Sequence, residues 1–152
     1  MLKRYLFGLF LGLAVLAGII FWCGGFFIGY LDFPSLVLIV FLPFAVAFMS
    51  HGPSAMGSPT RPAFAEDKAG IAELKRAKAC VQALGRYAIA SGVVGFFLGV
   101  IATFQNVSNP NVIGAHLAVT LVSSLYATLF VLFLTQPLSS RLEDKIIERE
   151  HA

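Results

Sequence analysis

Charged side chains are scarce in this chain of 152 residues, since Asp, Glu, Lys and Arg make up 12% of it while 58% of the residues are hydrophobic. A soluble domain carries about 25% charged residues, so this chain has too few polar groups to cover a water-facing surface. Two cysteines, Cys23 and Cys80, are too few for a disulfide framework. The composition therefore excludes an ordinary soluble domain and indicates an integral membrane protein.

The chain also lacks the residue patterns that enzymes use for chemistry. Three histidines and two cysteines are present, but the sequence has no cluster with metal-ligand spacing, no nucleophile paired with a base and no glycine-rich phosphate loop. We expect no enzymatic activity, no cofactor and no metal site. The formal net charge of +3 does not indicate nucleic-acid binding, because the basic residues are distributed as membrane topology requires.

Four apolar runs are each long enough to cross a hydrocarbon core of about 30 Å, which takes about 20 helical residues. They predict spans over about 5–29, 33–50, 87–104 and 112–134. The connection 51–86 begins with a proline-rich stretch and continues with apolar residues at helical spacing, which predicts a short amphipathic helix that runs into the third span. The charged end of the chain predicts a solvated helical tail. The expected fold is an all-α membrane domain over residues 1–152.

The distribution of basic residues predicts the orientation of these spans. All eleven Lys and Arg lie in the N-terminal tip, in 51–86 or in the C-terminal tail, whereas the turns around 24–34 and 105–111 carry a single charge, Asp32. The positive-inside rule then places both termini and the middle connection in the cytoplasm. The first run, with Lys3 and Arg4 before it, could also be a signal peptide, but its apolar stretch continues past any plausible cleavage site.

Small and hydroxyl side chains mark the third and fourth spans. Helices in lipid associate through close backbone approach, and four residues of the third span are candidates for such packing: Ser91, Gly92, Gly95 and Gly99. In the fourth span, hydroxyl residues and His116 recur at spacings near four, opposite a face of Leu121, Val122, Leu125, Leu129 and Leu132. We predict that an ion pathway is lined by Thr120, Ser123, Ser124 and Thr128, together with Thr103 of the third span. Pro110 and Pro137, at the two ends of the fourth span, are candidate hinges.

Two observations qualify the predicted pathway. Ser and Thr in a helix can also bond to their own backbone carbonyls and serve as small packing residues, so packing is the alternative interpretation. In addition, no Asp, Glu, Lys or Arg lies deep in any predicted span, although such residues mark proton relays in membrane proteins. A pathway along this chain therefore requires an acidic group from a partner, and we expect the chain alone to conduct nothing.

Two stretches resemble a known family. "SGVVGFFLGVIATFQNVSNPNVIGAHLAVTLVSSLYATLFVLFLTQPLSSRL" is similar, without a gap, to the last two spans of the flagellar-motor stator A subunit in the MotA/TolQ/ExbB proton-channel superfamily, and "LDFPSLVLIV" is similar to the start of that family's second span. The residues that match the family pattern in the longer stretch include Gly92, Gly95, Gly99, Gln105, Asn106, Pro110, Gly114, Ser123, Ser124, Tyr126 and Pro137.

The resemblance implies a homo-oligomeric ring of A subunits, a pentamer, around a dimer of single-span B subunits in the bacterial inner membrane. It also implies that the third and fourth helices face the centre, where an aspartate of the B subunit carries the ion. Stator subunits have a large cytoplasmic domain between spans two and three, which the connection 51–86 does not provide. Phe96 stands where sodium-coupled relatives have a threonine, which favours protons. Two alternatives remain, namely a TolQ/ExbB-like energiser subunit and a non-conducting membrane scaffold.

Overall fold

The computed structural model describes residues 2–22, 27–56 and 70–151, and the regular structure in these ranges is helical throughout. It forms two compact units, Met1–Phe33 and Pro34–Ala152. The helices are α1 (Leu2–Trp22), α2 (Phe33–Met56), α3 (Ile71–Gln105), α4 (Pro110–Phe130) and α5 (Gln136–Glu150), with a 3₁₀ turn at Phe27–Tyr30 and a π-helical segment at Val131–Thr135 between α4 and α5. Within the described ranges, four helical runs are long and apolar enough to cross a membrane. The predicted all-α membrane fold is confirmed.

Helix α1, in the first unit, presents apolar side chains all round. Its window Tyr5–Trp22 contains no charge, and none of that window is buried within the chain. Phe10 and Trp22 are 72% and 91% exposed. Large apolar side chains exposed over a whole helix are stable in lipid and unfavourable in water.

Helix α2, which carries the second span, buries one face. Ser35, Ile39, Pro43 and Ala47, spaced by four, are all buried. The backbone keeps helical angles through Pro43 and loses them only at Gly52, where φ is +72°. A positive φ costs glycine little, and the proline that follows disfavours the α conformation at this position. The helix therefore breaks just beyond the apolar run.

Helix α3 joins the predicted amphipathic segment and the third span in one continuous helix of 35 residues. At about 1.5 Å per residue it is roughly 52 Å long, so it extends well beyond a hydrocarbon core of about 30 Å. A short turn then leads into α4, where the Asn109 side chain accepts a hydrogen bond from the Asn111 amide at 3.3 Å and Pro110 is the first helical residue. Proline suits that position because its missing N–H would have no helical partner there.

The charged halves of α3 and α5 pack against each other. Their apolar contact consists of six buried residues: Leu74, Ala77, Val81, Leu138, Leu142 and Ile146. Lys75 pairs with Glu150 at 2.7 Å and Lys78 with Glu143 at 2.9 Å along its edges. The C-terminal segment is helical, as predicted, but it is a packed helix with one buried stripe rather than a helix solvated on all sides. Burial of that stripe stabilises the hairpin outside the apolar region.

Cys80 lies within this packed hairpin and is only 2% exposed, so its thiol cannot report the orientation of the chain. Ser108 lies in the turn between α3 and α4, and Ser140 lies in α5, beyond the other end of the apolar run. Both are exposed, and each can be replaced by cysteine after Cys23→Ser and Cys80→Ala. If the charged end is cytoplasmic, a membrane-impermeant maleimide added to intact cells labels Ser108→Cys at once and Ser140→Cys only after permeabilisation. Labelling of Ser140→Cys in intact cells would reverse the predicted orientation.

Candidate ion-pathway site

The contact between α3 and α4 is a close antiparallel seam built on glycines. A Cβ placed on Gly99 would clash with the Thr120 side chain and lie 2.9 Å from the Thr120 Cα. One placed on Gly95 would lie 2.7 Å from the Ser123 Cβ, and one on Gly92 would lie 2.5 Å from the Cβ of Ala127. Successive glycines towards the charged end therefore meet successive small residues of α4. This approach leaves no room for a larger residue at these three positions.

Two predicted pathway residues, Thr120 and Ser123, lie inside this seam and are 2% and 1% exposed. The Thr120 hydroxyl donates to the His116 carbonyl at 2.7 Å, and the Ser123 hydroxyl lies 3.0 Å from the Val119 carbonyl. Their positions match the packing interpretation, in which small polar residues bond to their own backbone. Ser91 also lies buried in α3 and donates to the Tyr87 carbonyl at 2.8 Å.

Helix α2 is joined to the seam by hydroxyl contacts that sequence reasoning did not identify. The hydroxyl oxygens of Ser35 and Ser123 lie 2.7 Å apart, and Tyr87 donates to the Ser50 hydroxyl at 3.0 Å. Leu38 lies beside Gly95, where an added Cβ would approach its Cδ2 to 2.9 Å. A buried serine at the start of an apolar helix signals such a partner, because a buried hydroxyl is costly without a hydrogen bond.

Two other predicted residues, Ser124 and Thr128, lie outside the seam. Ser124 is half-buried and Thr128 is exposed, with its hydroxyl donating to the Ser124 carbonyl at 2.9 Å. Leu121 of α4 and Leu132 of the π-helical segment are 66% and 57% exposed, and their positions, seven residues before and four residues after Thr128, place them near the side that carries Thr128. We refer to the surface formed by Leu117, Leu121, Ser124, Thr128 and Leu132 as the open face.

The structure therefore divides the predicted hydroxyl stripe between two sides of α4. A step of four residues turns a helix by about 400°, which is about 40° past a full turn. Three such steps from His116 to Thr128 accumulate about 120°, so residues at strict four-residue spacing move off a single face. The leucine face divides in the same way, since Leu121 joins Thr128 on the open face while Val122 is 7% exposed.

Three further predicted residues have other positions. Thr103 is half-buried near the end of α3 and donates to the Gly99 carbonyl at 2.9 Å. Pro110 begins α4, and Pro137 is the second residue of α5.

The π-helical segment immediately precedes Pro137. The Gln136 amide donates to the Val131 carbonyl, five residues back, and the Thr135 hydroxyl donates to the same oxygen at 3.1 Å. The π-helical turn is wider than an α-helical turn, so its hydrogen bonds join residues five apart instead of four. It lies immediately before Pro137, which has no N–H to donate to a helical hydrogen bond.

Acidic residues, lysine and arginine are absent from the apolar part of the site. The sequence has no Asp, Glu, Lys or Arg within 87–104 or 112–134. His116 is half-buried towards the start of α4, and its Nδ1 atom is buried without a hydrogen-bond partner in the described part of the chain. Along the open face, this chain supplies hydroxyls and leucines but no carboxylate.

These features define the class of protein: a multi-pass helical membrane protein whose last two long helices form a tightly packed antiparallel hairpin. Residues 63–151, more than half of the chain, match the MotA/TolQ/ExbB proton channel family, and the chain belongs to that family. The match covers α3, α4 and α5 in full. Members of the family work with partner subunits in membrane complexes.

One curated relative is the "Uncharacterized protein YtxD" of Bacillus subtilis (strain 168). It is 30% identical to this chain over 61 residues, which are 40% of this chain and 22% of the relative. The matched region thus spans less than a quarter of that protein.

Proposed function

We propose that this chain is a MotA-like, channel-forming subunit of a motor complex driven by the proton-motive force, working with a single-span partner that carries an intramembrane aspartate. The supporting observation is that the open face offers the hydroxyls of Ser124 and Thr128, while no residue of 87–104 or 112–134 is Asp, Glu, Lys or Arg. The chain thus provides polar lining and depends on the partner for the titrating group.

The ion step follows from the chemistry of that partner group. Carrying a proton across about 30 Å of hydrocarbon requires a group that binds and releases the proton. Serine and threonine can line the pathway, but they do not supply such a group. A carboxylate held against the open face would be desolvated, and desolvation favours its protonated form. The Ser124 hydroxyl can donate to the carboxylate or accept from the carboxylic acid, because a hydroxyl both donates and accepts. The Thr128 hydroxyl, which donates to the Ser124 carbonyl, can accept from the acid.

The proposed assembly is a pentameric ring in the bacterial inner membrane, with both termini and the charged hairpin in the cytoplasm and the open face towards the centre. Under this arrangement, only the surface of α4 that α3 does not cover faces the partner. Thr120 and Ser123 then hold the seam together, and Ser124 and Thr128 lie beside the pathway. This refines the sequence-based prediction, which assigned all four residues the same role.

The deciding experiment measures proton uptake into liposomes that contain the purified subunit, the subunit with its partner, or the subunit with a partner whose intramembrane Asp is replaced by Asn. An imposed membrane potential should drive uptake only with the intact partner, and in sodium-free buffer. Uptake by the subunit alone, or uptake that requires sodium, would contradict the mechanism. A stable complex that never conducts would identify the chain as a membrane scaffold.

A TolQ/ExbB-like energiser is the second candidate, favoured by the short connection between α2, which ends at Met56, and α3, which begins at Ile71. That interval is too short for a separate domain that engages a rotor. Expression in a host lacking its own stator should restore motility if the chain is MotA-like. Restoration of an energised outer-membrane process in a host lacking TolQ or ExbB would support the energiser instead.

A further inference from the structure

A groove lies between α3 and the opposing π-helical segment and α5, where the apolar part of the hairpin meets its charged part. Its volume is about 440 Å³, and Gln82, Arg86 and Ile89 of α3 line one wall. Gln136, Ser139 and Ser140 of α5 lie in the opposite wall. We call it the interfacial groove. Its volume falls within the range of about 300–1,000 Å³ that is typical of small-molecule sites.

Arg86 is the basic side chain in the lining of the groove. Glu143 also lines it, but Lys78 lies 2.9 Å from that carboxylate and compensates its charge. Arg86 is exposed and makes no ion pair within residues 2–22, 27–56 and 70–151. A guanidinium in such a position is suited to a phosphate group, which it can bind through two parallel hydrogen bonds.

The other lining residues change from apolar at one end of the groove to polar at the other end. Ile89 and Val131, at one end, belong to the apolar halves of the hairpin, whereas the amide and hydroxyl side chains lie at the other end. Gln82 donates to the Ser139 hydroxyl at 3.2 Å, so the serine proton remains available for a ligand oxygen. A ligand that fits this gradient has an anionic head and an apolar tail.

We propose that the interfacial groove binds the phosphate headgroup of an anionic phospholipid, with Arg86 as its principal charged contact and Ile89 and Val131 beside the first acyl carbons. The groove shares no lining residue with the open face. Lipid binding there does not depend on which ion the complex carries. Soluble phosphate compounds share the headgroup chemistry but lack the tail, which allows the two sources to be separated.

The test uses the purified full-length chain in a neutral detergent at fixed ionic strength, and follows its melting temperature during titration with phosphatidylglycerol or phosphatidylcholine. Phosphatidylglycerol should raise the melting temperature saturably and more than phosphatidylcholine, because a bound ligand stabilises the folded state by mass action. Arg86→Gln should weaken phosphatidylglycerol binding about tenfold or more, which corresponds to the loss of a charge-assisted contact. Arg86→Lys should retain part of the effect, since it keeps the charge but loses the planar fork.

Arg76→Gln is the matched control, since Arg76 is exposed on the same helix outside the groove and its replacement removes the same charge. Equal phosphatidylglycerol affinity in the Arg86→Gln and Arg76→Gln variants would overturn the proposal. Inorganic phosphate and glycerol 3-phosphate form the third arm. If either raises the melting temperature as strongly as phosphatidylglycerol and does so through Arg86, the site belongs to a soluble phosphate and the lipid assignment is wrong.

Discussion

Replacement of Gly99 by alanine should destabilise the seam between α3 and α4 strongly. The new Cβ would meet both the Thr120 side chain and its Cα, and the Cα, at 2.9 Å, cannot move out of the way by side-chain rotation. The two helices must then separate locally, which costs about 1–3 kcal/mol for overpacking at a close contact. The free energy of unfolding, measured in mixed detergent and denaturant, should fall accordingly.

A graded series makes this result specific to the seam. Gly114→Ala introduces a Cβ with nothing within 4 Å, and should be neutral or stabilising by up to about 1 kcal/mol, since alanine is the better helix former. Gly85→Ala should fall between the two, because its Cβ would lie 2.8 Å from the Thr135 hydroxyl oxygen and 3.3 Å from the Thr135 Cβ. Similar stability of the Gly99→Ala and Gly114→Ala variants would show that the close approach does not hold the hairpin together.

The small residues of the third span were the clearest signal in the sequence for helix packing. Small residues spaced by three or four in an apolar helix are informative because only glycine and similarly small residues allow two backbones to approach closely. Gly92, Gly95 and Gly99 all lie in the seam. The partner of each glycine could not be predicted, since the register of an antiparallel hairpin depends on the length of its connecting turn and on the fit of both surfaces.

The charged end of the chain packs more closely than a solvated helix would. Charges between residues 141 and 150 favoured a solvated helix, yet Leu138, Leu142 and Ile146 recur every four residues and form a buried stripe. That signal was present in the sequence, and an equivalent stripe at Leu74, Ala77 and Val81 matched it. Two amphipathic helices in antiparallel register bury each other's apolar faces, so the two patterns had to be interpreted together.

The π-helical segment had no clear signal in the sequence. Pro137 indicated a disturbance of the helix, but a proline can produce a kink, a break or a wider turn. Here the helix continues, and the Val131 carbonyl accepts both from Gln136 and from the Thr135 hydroxyl. The outcome depends on Thr135, which is 4% exposed and fits against Gly85 in the opposing helix. Tertiary packing thus selects one of several local solutions.

A substitution on the open face should have a large effect on proton uptake. Replacement of Ser124 by leucine should lower partner-dependent proton uptake about tenfold or more, because an increase of only about 1.4 kcal/mol in a barrier slows a rate tenfold. Ser124 is half-buried between the exposed Leu121 and Thr128. A leucine at this position would replace a small polar side chain of the open face with a larger apolar one. Hydrophobic constrictions block conduction by excluding water.

Two further variants separate obstruction from loss of a hydrogen bond. Ser124→Ala removes the hydroxyl without adding volume, and should retain most of the uptake if space for the partner carboxylate is the main requirement. Thr120→Val removes a hydroxyl in the seam that donates to the His116 carbonyl at 2.7 Å. It should alter uptake little, because Thr120 is 2% exposed and does not reach the open face.

These measurements should be made on complexes with equal amounts of partner and equal melting temperatures, so that differences in uptake reflect the pathway. If Ser124→Leu conducts like the wild type, the open face does not border the path. If Thr120→Val blocks uptake while Ser124→Leu does not, the path runs through the seam instead, and the helices must separate to admit it. The assignment of the proton path to the open face therefore depends on the contrast between Thr120 and Ser124. These two hydroxyl residues are four positions apart, and the rotation of the helix places one in the seam and the other on the open face.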